Sequence, residues 1–376
     1  MRSLRQISCC IVLGCILAPA QNKKKPSPDD GMVLPPILVD KKKEKDIVQP
    51  PPKQIELPAA VTAETARLSF EIAPVSTKGL LSQQTRDALR GLLHNNRGAT
   101  VVRLRVFVAG SGDLRRIGDI VGEVFLERRQ PLPALTVVQA GALSLEGQQV
   151  LIESTAMERT AVNPNGLAFL SGQAADTLTQ ALERVHAAVR ATGSAAGDVL
   201  RVACFVSSLD QESAGLARTQ PEFPQAATLV VQMQRGPVRP GAECEAVVRL
   251  QAPPDQPLKY LNPAELGPAK NYSQIALIAG GKLVFTGAQL GFGTEEPDIK
   301  LVFERLGRVL ANFQSGFDRL AVSSAYLTNF SMASRIRDVR GRFYTAKEPP
   351  ASTLLLFEGL PSIDGSFAID LIALTP

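Results

Sequence analysis

With 376 residues, 45% of them hydrophobic and 20% charged, the chain is long enough to divide into several cores and too balanced in composition to be fibrous or wholly disordered. The formal net charge of +5 is concentrated at one end: Arg2 and Arg5 precede a segment, residues 21–60, that holds eight lysines against six acids. The remainder is nearly neutral, which removes the electrostatic footprint of a nucleic-acid binder, and the absence of Trp argues against stacking platforms for single strands.

The first twenty residues read as a cleavable export signal. Arg2 and Arg5 form the basic region, Ile7 to Leu17 is too short to span a bilayer, and Ala18-Pro19-Ala20 offers a small-residue cleavage site. The chain would then be periplasmic or secreted. An alternative is lipoprotein processing at Cys15, within Val12-Leu13-Gly14-Cys15, but that would leave apolar Ile16 and Leu17 beside the lipid. Residues 21–65, with Pro35-Pro36, Pro50-Pro51-Pro52 and lysines interleaved with acids, read as a disordered spacer.

Three similar stretches follow: residues 66–160, 165–251 and 271–376, the last two separated by a proline-rich linker at 252–270. In the first, apolar spacing predicts helices over Gln83–His94 and Leu114–Glu127. In the second, it predicts a helix over Thr177–Thr192 with Gly193 at its C-terminal cap; the shorter gap from Phe205 to Pro224 leaves a second helix truncated or missing. In the third, helices are predicted over Ile299–Phe313 and near Met332–Thr345.

Each stretch carries a β-rich run: Val101–Val108, Val199–Val206 and Leu320–Leu327. Each then opens a strand near a proline (Pro133, Pro224, Pro350) and ends on an apolar strand holding an acid (Glu153, Glu245, Asp370). Units of roughly a hundred residues exceed solenoid repeats of ~20–50 and have the size of small domains. The order strand–helix–strand–helix–strand–strand predicts an α+β fold, with helices on one face of a sheet.

The middle stretch carries a resemblance. Leu167-Ala168-Phe169-Leu170-Ser171-Gly172-Gln173, the helical run Ala181–Val189, and Gly197-Asp198-Val199 resemble the reactive-intermediate deaminase (Rid, or YjgF) family. Leu283-Val284-Phe285-Thr286-Gly287-Ala288-Gln289 is a looser version, and the first stretch keeps only the rhythm. The resemblance implies homotrimers with ligand clefts between subunits. Three tandem copies then imply βαβαββ domains fused into one intrachain pseudo-trimeric barrel, a monomer with small-molecule ligands between its domains and no cofactor or metal. In the family an arginine two residues after the strand-leading proline grips a substrate carboxylate. The matching positions here are Leu135, Ala226 and Ser352, none of which can do so. The family's acid pair survives only in Glu243-Cys244-Glu245-Ala246, with Leu151 and Ala368 at the first position elsewhere.

The resemblance therefore assigns Glu243 as the candidate catalytic residue. It assigns Ser171, Gly172, Gln173, Ala226, Glu245, Thr286, Gly287 and Ser352 as candidate ligand contacts, and offers Arg235 and Arg239 as substitutes for the missing arginine. Glu153 and Asp370 read better as strand residues satisfied by backbone donors. Cys204 and Cys244, the two cysteines beyond the signal, form a candidate disulfide, or two buried apolar thiols. His94 and His186 lie on predicted helices without convergent partners. The expected function is binding of a small metabolite at degenerate imine deaminase sites. The alternatives are enamine or imine hydrolysis on a substrate lacking a carboxylate, and a non-catalytic structural or partner-binding role.

Overall fold

The computed structural model describes residues 55–376 apart from 97, 111, 235–240 and 346. The signal, most of the spacer, and Arg235 and Arg239 lie outside the described residues. The first unit contains β1 (Ala60–Glu64), β2 (Leu68–Ile72), α1 (Leu81–Asn95), β3 (Thr100–Ala109), α2 (Arg116–Glu127), β4 (Ala134–Ala140), β5 (Ala142–Leu143) and β6 (Val150–Met157). The second contains β7 (Leu167–Ala175), α3 (Leu178–Ala191), β8 (Val199–Val206), α4 (Ser213–Glu222), β9 (Ala227–Gln232) and β10 (Ala242–Arg249). The third contains β11 (Leu258–Leu261), β12 (Ile275–Ile278), β13 (Lys282–Thr286), β14 (Gln289–Phe292), α5 (Glu296–Ala311), β15 (Leu320–Leu327), α6 (Ala333–Arg340), β16 (Ala351–Leu356) and β17 (Gly365–Leu374).

One strand order recurs in all three units: β2-β6-β3-β4, β7-β10-β8-β9 and β13-β17-β15-β16. In each, the β-rich run lies parallel to the proline-led strand across a helical crossover, and the acid-bearing strand runs antiparallel beside it. The helices cover one face because their apolar residues recur at helical spacing. On α3, Leu178, Ala181, Leu182, Val185, Ala188 and Val189 are all buried. Thr177 caps its N-terminus by accepting from the Gln180 N–H, and Gly193 (φ +77°) follows its last turn.

Three expectations need correction. The spacer boundary at 65 is too late: Ala60–Glu64 forms β1, which adds antiparallel to β13 of the third unit, and Ile55 packs over Gly122 of α2. The linker at 252–270 contains β11, which pairs with β12, and buries Leu266. A single closed barrel is not formed. Hydrogen bonding divides into three open sheets of four, seven and six strands, because the four-stranded cores of the units are not laddered to one another; neighbouring units share only the edge pairings β1–β13, β5–β9 and β7–β12 and isolated bridges such as Gln139–Gly359. The second helix of the middle unit exists as ten-residue α4, against twelve residues in α2; the shorter connection is taken partly from loops.

What joins the units is the layer of side chains on the sheet faces turned away from the helices. Phe107, Phe205, Tyr326 and Phe357 pack in one apolar cluster drawn from all three units, with ring centroids of its neighbouring pairs about 6 Å apart (5.9 Å for Phe107–Phe205). Leu68, Val102, Phe169, Val247, Phe285 and Ile372 belong to another. A buried ionic cluster sits on these same inner faces. Arg105 reaches Glu153 (2.7 Å) and Glu245 (2.7 Å), Arg201 reaches Glu153 (2.8 Å) and Glu245, and Arg103 reaches Asp370 (2.8 Å). Thr353 donates to Glu245 (2.7 Å); Thr136 (2.7 Å) and Tyr326 (3.0 Å) donate to Asp370. Burial alone would push the Glu245 carboxyl up, but Arg105 and Arg201 overcome it and hold Glu245 far below the usual carboxylate range. The same balance lowers Glu153.

Candidate functional site

The junction of units two and three is built from strand ends. Ser171 of β7 accepts from the Ser352 N–H of β16 (2.8 Å) and donates to the Ser273 carbonyl (2.5 Å), so its hydroxyl clips the two units together. Gln173 donates to the Ser171 carbonyl and to the Gln274 side chain, both at 3.0 Å. Gly172 lies between them. A Cβ placed there would stand 1.8 Å from Glu243 Oε1, so the absent side chain is what lets the Glu243 carboxyl lie against the strand.

Glu243 is the second residue of β10, opposite Ala174 and Phe205, and its side chain accepts no hydrogen bond among the described residues. Burial raises its pKa, the ionised Glu245 two residues on raises it further, and Arg337 of α6 opposes them; the result is about 8. The half-buried Tyr272 of unit three feels both Glu243 and Arg340, and burial raises its phenol. This group is thus protonated at neutral pH and faces a partly cationic wall.

The linkage has a definite sign. The folded chain holds the Glu243 proton up to about pH 8, whereas an ordinary glutamate releases it near 4.5. This group therefore removes stability as pH rises through that window. Glu243→Gln should match the wild type in unfolding midpoint near pH 4 and exceed it near pH 9. Parallel midpoint curves across that range would show that Glu243 is ionised normally.

Several residues assigned from sequence lie elsewhere. Glu245 belongs to the central ionic cluster, not to a cleft: it lies at the irregularity in the β10–β7 register between Cys244 and Ala246, and its two carboxylate oxygens are taken by Arg105, Arg201 and Thr353. Ala226 does not match Leu135 and Ser352. The parallel ladders pair Leu104 with Leu135, Ser323 with Ser352, and Val202 with Thr228, so Thr228 holds that position; two extra residues after Pro224 shift the register. Thr286 and Gly287 face a sealed junction between units three and one. There Thr286 Oγ1 accepts from the Leu371 N–H, Gly287 donates to the Ala59 carbonyl (2.9 Å), and Ala288 donates to the Leu135 carbonyl (3.0 Å). The acid position beside it is Ala368. The junction of units one and two keeps an open depression of about 490 Å³ lined by Glu71, Gln220 and Thr228, but its acid position is Leu151.

Two residues of the junction between units two and three escaped the sequence. Arg340 ends α6 and donates to Ser352 Oγ (2.8 Å) and to the Asn271 carbonyl (3.2 Å). It thus stands beside the very position where the sequence lacked an arginine. Its signal was its place on the apolar stripe of α6, seven residues after Ala333 and four after Ile336. Tyr272, the other, stands at the head of the third unit, in a Tyr-Ser-Gln run.

Cys204 and Cys244 are disulfide-bonded, directly opposite each other on β8 and β10. They face the helix-side core, away from the ionic cluster. His186 lies 3.0 Å from Glu222 and stacks on Phe223, a packing arrangement on α3. Among the described residues no group of His, Cys, Asp and Glu could hold a metal, and no helix is long and apolar enough to cross a membrane.

No family model matches the chain, and no curated protein matches it in sequence. Its structural relatives are members of the YjgF/Rid family. NMB1025, a YjgF family member from Neisseria meningitidis, is 18% identical, with TM-score 0.24, covering 32% of this chain and 95% of its own. YyfB, a Rid family protein of unknown function from Yersinia pestis, is 16% identical, with TM-score 0.30, covering 32% and 99%. RidA from the Antarctic bacterium Psychrobacter sp. PAMC 21119 is 18% identical, with TM-score 0.23, covering 24% and 80%.

Proposed function

We propose that this chain is an exported small-molecule-binding protein in which three copies of a Rid-like domain form an intrachain pseudo-trimer with a single working cleft, between units two and three. The observation that carries the reading is Glu243 lying over Gly172: of the three equivalent positions, Glu243, Leu151 and Ala368, it alone is an acid, and a bare glycine backbone lies beneath it. The other two junctions lack that acid, and one is closed by backbone hydrogen bonds. Tethering three domains makes their assembly unimolecular and frees each junction to diverge. Export is part of this proposal; the Cys204–Cys244 disulfide supports it, because such bonds persist in oxidising compartments.

A second reading, hydrolysis of an imine or enamine, is favoured by one specific observation: a carboxyl with a pKa of about 8 holds a proton to give to a departing amine and titrates near neutral pH. One experiment separates them. Imines generated in situ are offered to the wild type and to Glu243→Gln, and ammonia release is read beside thermal stabilisation by the corresponding oxo compounds. Binding predicts saturable stabilisation with ammonia release at the free-solution rate. Hydrolysis predicts release that Glu243→Gln abolishes. Neither signal would leave the clefts without a ligand role.

A further inference from the structure

Four arginines of the described chain are buried below a tenth of their surface: Arg103, Arg105, Arg201 and Arg340. The first three each have a carboxylate at ion-pair distance. Arg340, 4% exposed, has none among the described residues. Its partners are neutral oxygens, Ser352 Oγ and the Asn271 carbonyl, and its Nε–H is buried without any acceptor. A guanidinium has five N–H donors in a planar fork, so three remain unused; an enclosed Nε is shared by Arg103 and Arg105, and what sets Arg340 apart is the lack of any carboxylate. Its charged neighbours make matters worse. Arg337, three residues earlier on α6, repels it, and the groups that favour its charge are the phenols of Tyr344 and Tyr272. From unit two, Glu243 faces Tyr272 and Arg337, and Arg184 faces Tyr272. A buried charge without a counter-ion is among the costliest arrangements in a protein.

We infer that Arg340 is held unpaired to receive a small oxyanion, at the junction where Ser352 and Asn271 fix its guanidinium and Tyr272 lies close by. This rests on the reading of the junction as a ligand cleft, and it names the ligand's recognised group. A carboxylate and a phosphate both match the fork. Ser352 supplies a hydroxyl at its base, and Arg337 adds positive potential at the exposed side. The stability cost is paid in the empty protein and returned on binding, as at many functional sites.

The test reads unfolding midpoints at constant ionic strength in chloride, acetate, pyruvate and phosphate, for the wild type, Arg340→Met, Arg340→Lys and Glu243→Gln. The wild type should show a saturable rise with one class of oxyanion over chloride. A response to acetate and pyruvate assigns a carboxylate, and a response to phosphate alone assigns a phosphate. Arg340→Met should abolish the rise yet unfold no earlier than the wild type in chloride, because it removes an uncompensated buried charge; Arg340→Lys should retain a weaker rise. An Arg340→Met midpoint well below wild type in chloride, with no oxyanion response in the wild type, would make Arg340 a structural cation and overturn the inference. An Arg340-dependent response that Glu243→Gln leaves untouched, with no ligand found in the imine assay, would keep the oxyanion site and sink the Glu243-centred cleft. Ligand binding or turnover that Arg340→Met leaves unchanged would do the reverse.

Discussion

Arg105→Met will destabilise the fold by about 3–5 kcal/mol, the usual cost of removing one partner from a buried ionic group. Arg105 is 2% exposed and is the residue that ties the carboxylate of its own unit, Glu153, to that of the next, Glu245. Its guanidinium also lies 5.3 Å and 5.4 Å from the ring centres of Phe107 and Phe205, so the substitution removes a cation from between two aromatic faces. Arg201 still touches both acids, but one arginine then neutralises two carboxylates in a space closed to water. Urea unfolding is the measurement. The comparison is Arg90→Met, whose partner Glu127 is 3.5 Å away and where both side chains are about half exposed; that loss should stay below ~1 kcal/mol. Equal losses for the two variants would mean that the central cluster contributes no more than a surface pair.

The second large effect belongs to the disulfide. Cys204 and Cys244 close a loop with a sequence separation of 40, and cross-links of such loops stabilise by roughly 2–4 kcal/mol, mainly by restricting the unfolded chain. Replacing both by alanine should lower stability by at least that amount, since the two are fully buried in the helix-side core of unit two and the substitution also leaves a void. Reductant should shift the wild type toward the variant and leave the variant unmoved. A wild type indifferent to reductant under unfolding conditions would show that the pair is not bonded in solution. Because Cys244 lies between Glu243 and Glu245, the bond also fixes the strand that places Glu243 over Gly172 and Glu245 in the central cluster.

The sequence made the scaffold readable where burial imposes a period. Val199–Val206 and Leu320–Leu327 are strands with those bounds, and the stripe of α3 follows its apolar spacing residue by residue. Register was harder to read: counting from Pro224 placed Ala226 where the ladder places Thr228, because a proline marks where a strand is permitted to begin, not where pairing begins. The site was half legible. Glu243 and Gly172 stand together as a motif would have them, but Glu245, two residues along the same strand, is held by arginines that lie up to 140 residues away in sequence (Arg105) and that no local pattern connects to it. Arg340 was hidden for a similar reason. On a helix carrying Arg335, Arg337 and Arg340, only the position of Arg340 on the stripe of Ala333, Ile336 and Val339 separates it from the other two, and a charged residue on such a stripe does not by itself read as buried.

The central cluster has a consequence for how such a chain can exist at all. Its first unit contributes Arg103, Arg105 and Glu153, its second Arg201 and Glu245, and its third Asp370 alone, with Val322 and Ser324 standing where the first unit has its arginines. With one of each present, three arginines meet three acids; of the uniform trimers, only one built from the second unit would balance as well. Three copies of the third unit would bury three carboxylates with no cation among them, and three copies of the first would bury twice as many arginines as acids. Neither assembly could dehydrate its centre without a heavy penalty. The units have ceased to be interchangeable, so the peptide links between them record a division of labour that separated pieces could restore only by finding each other in the right combination.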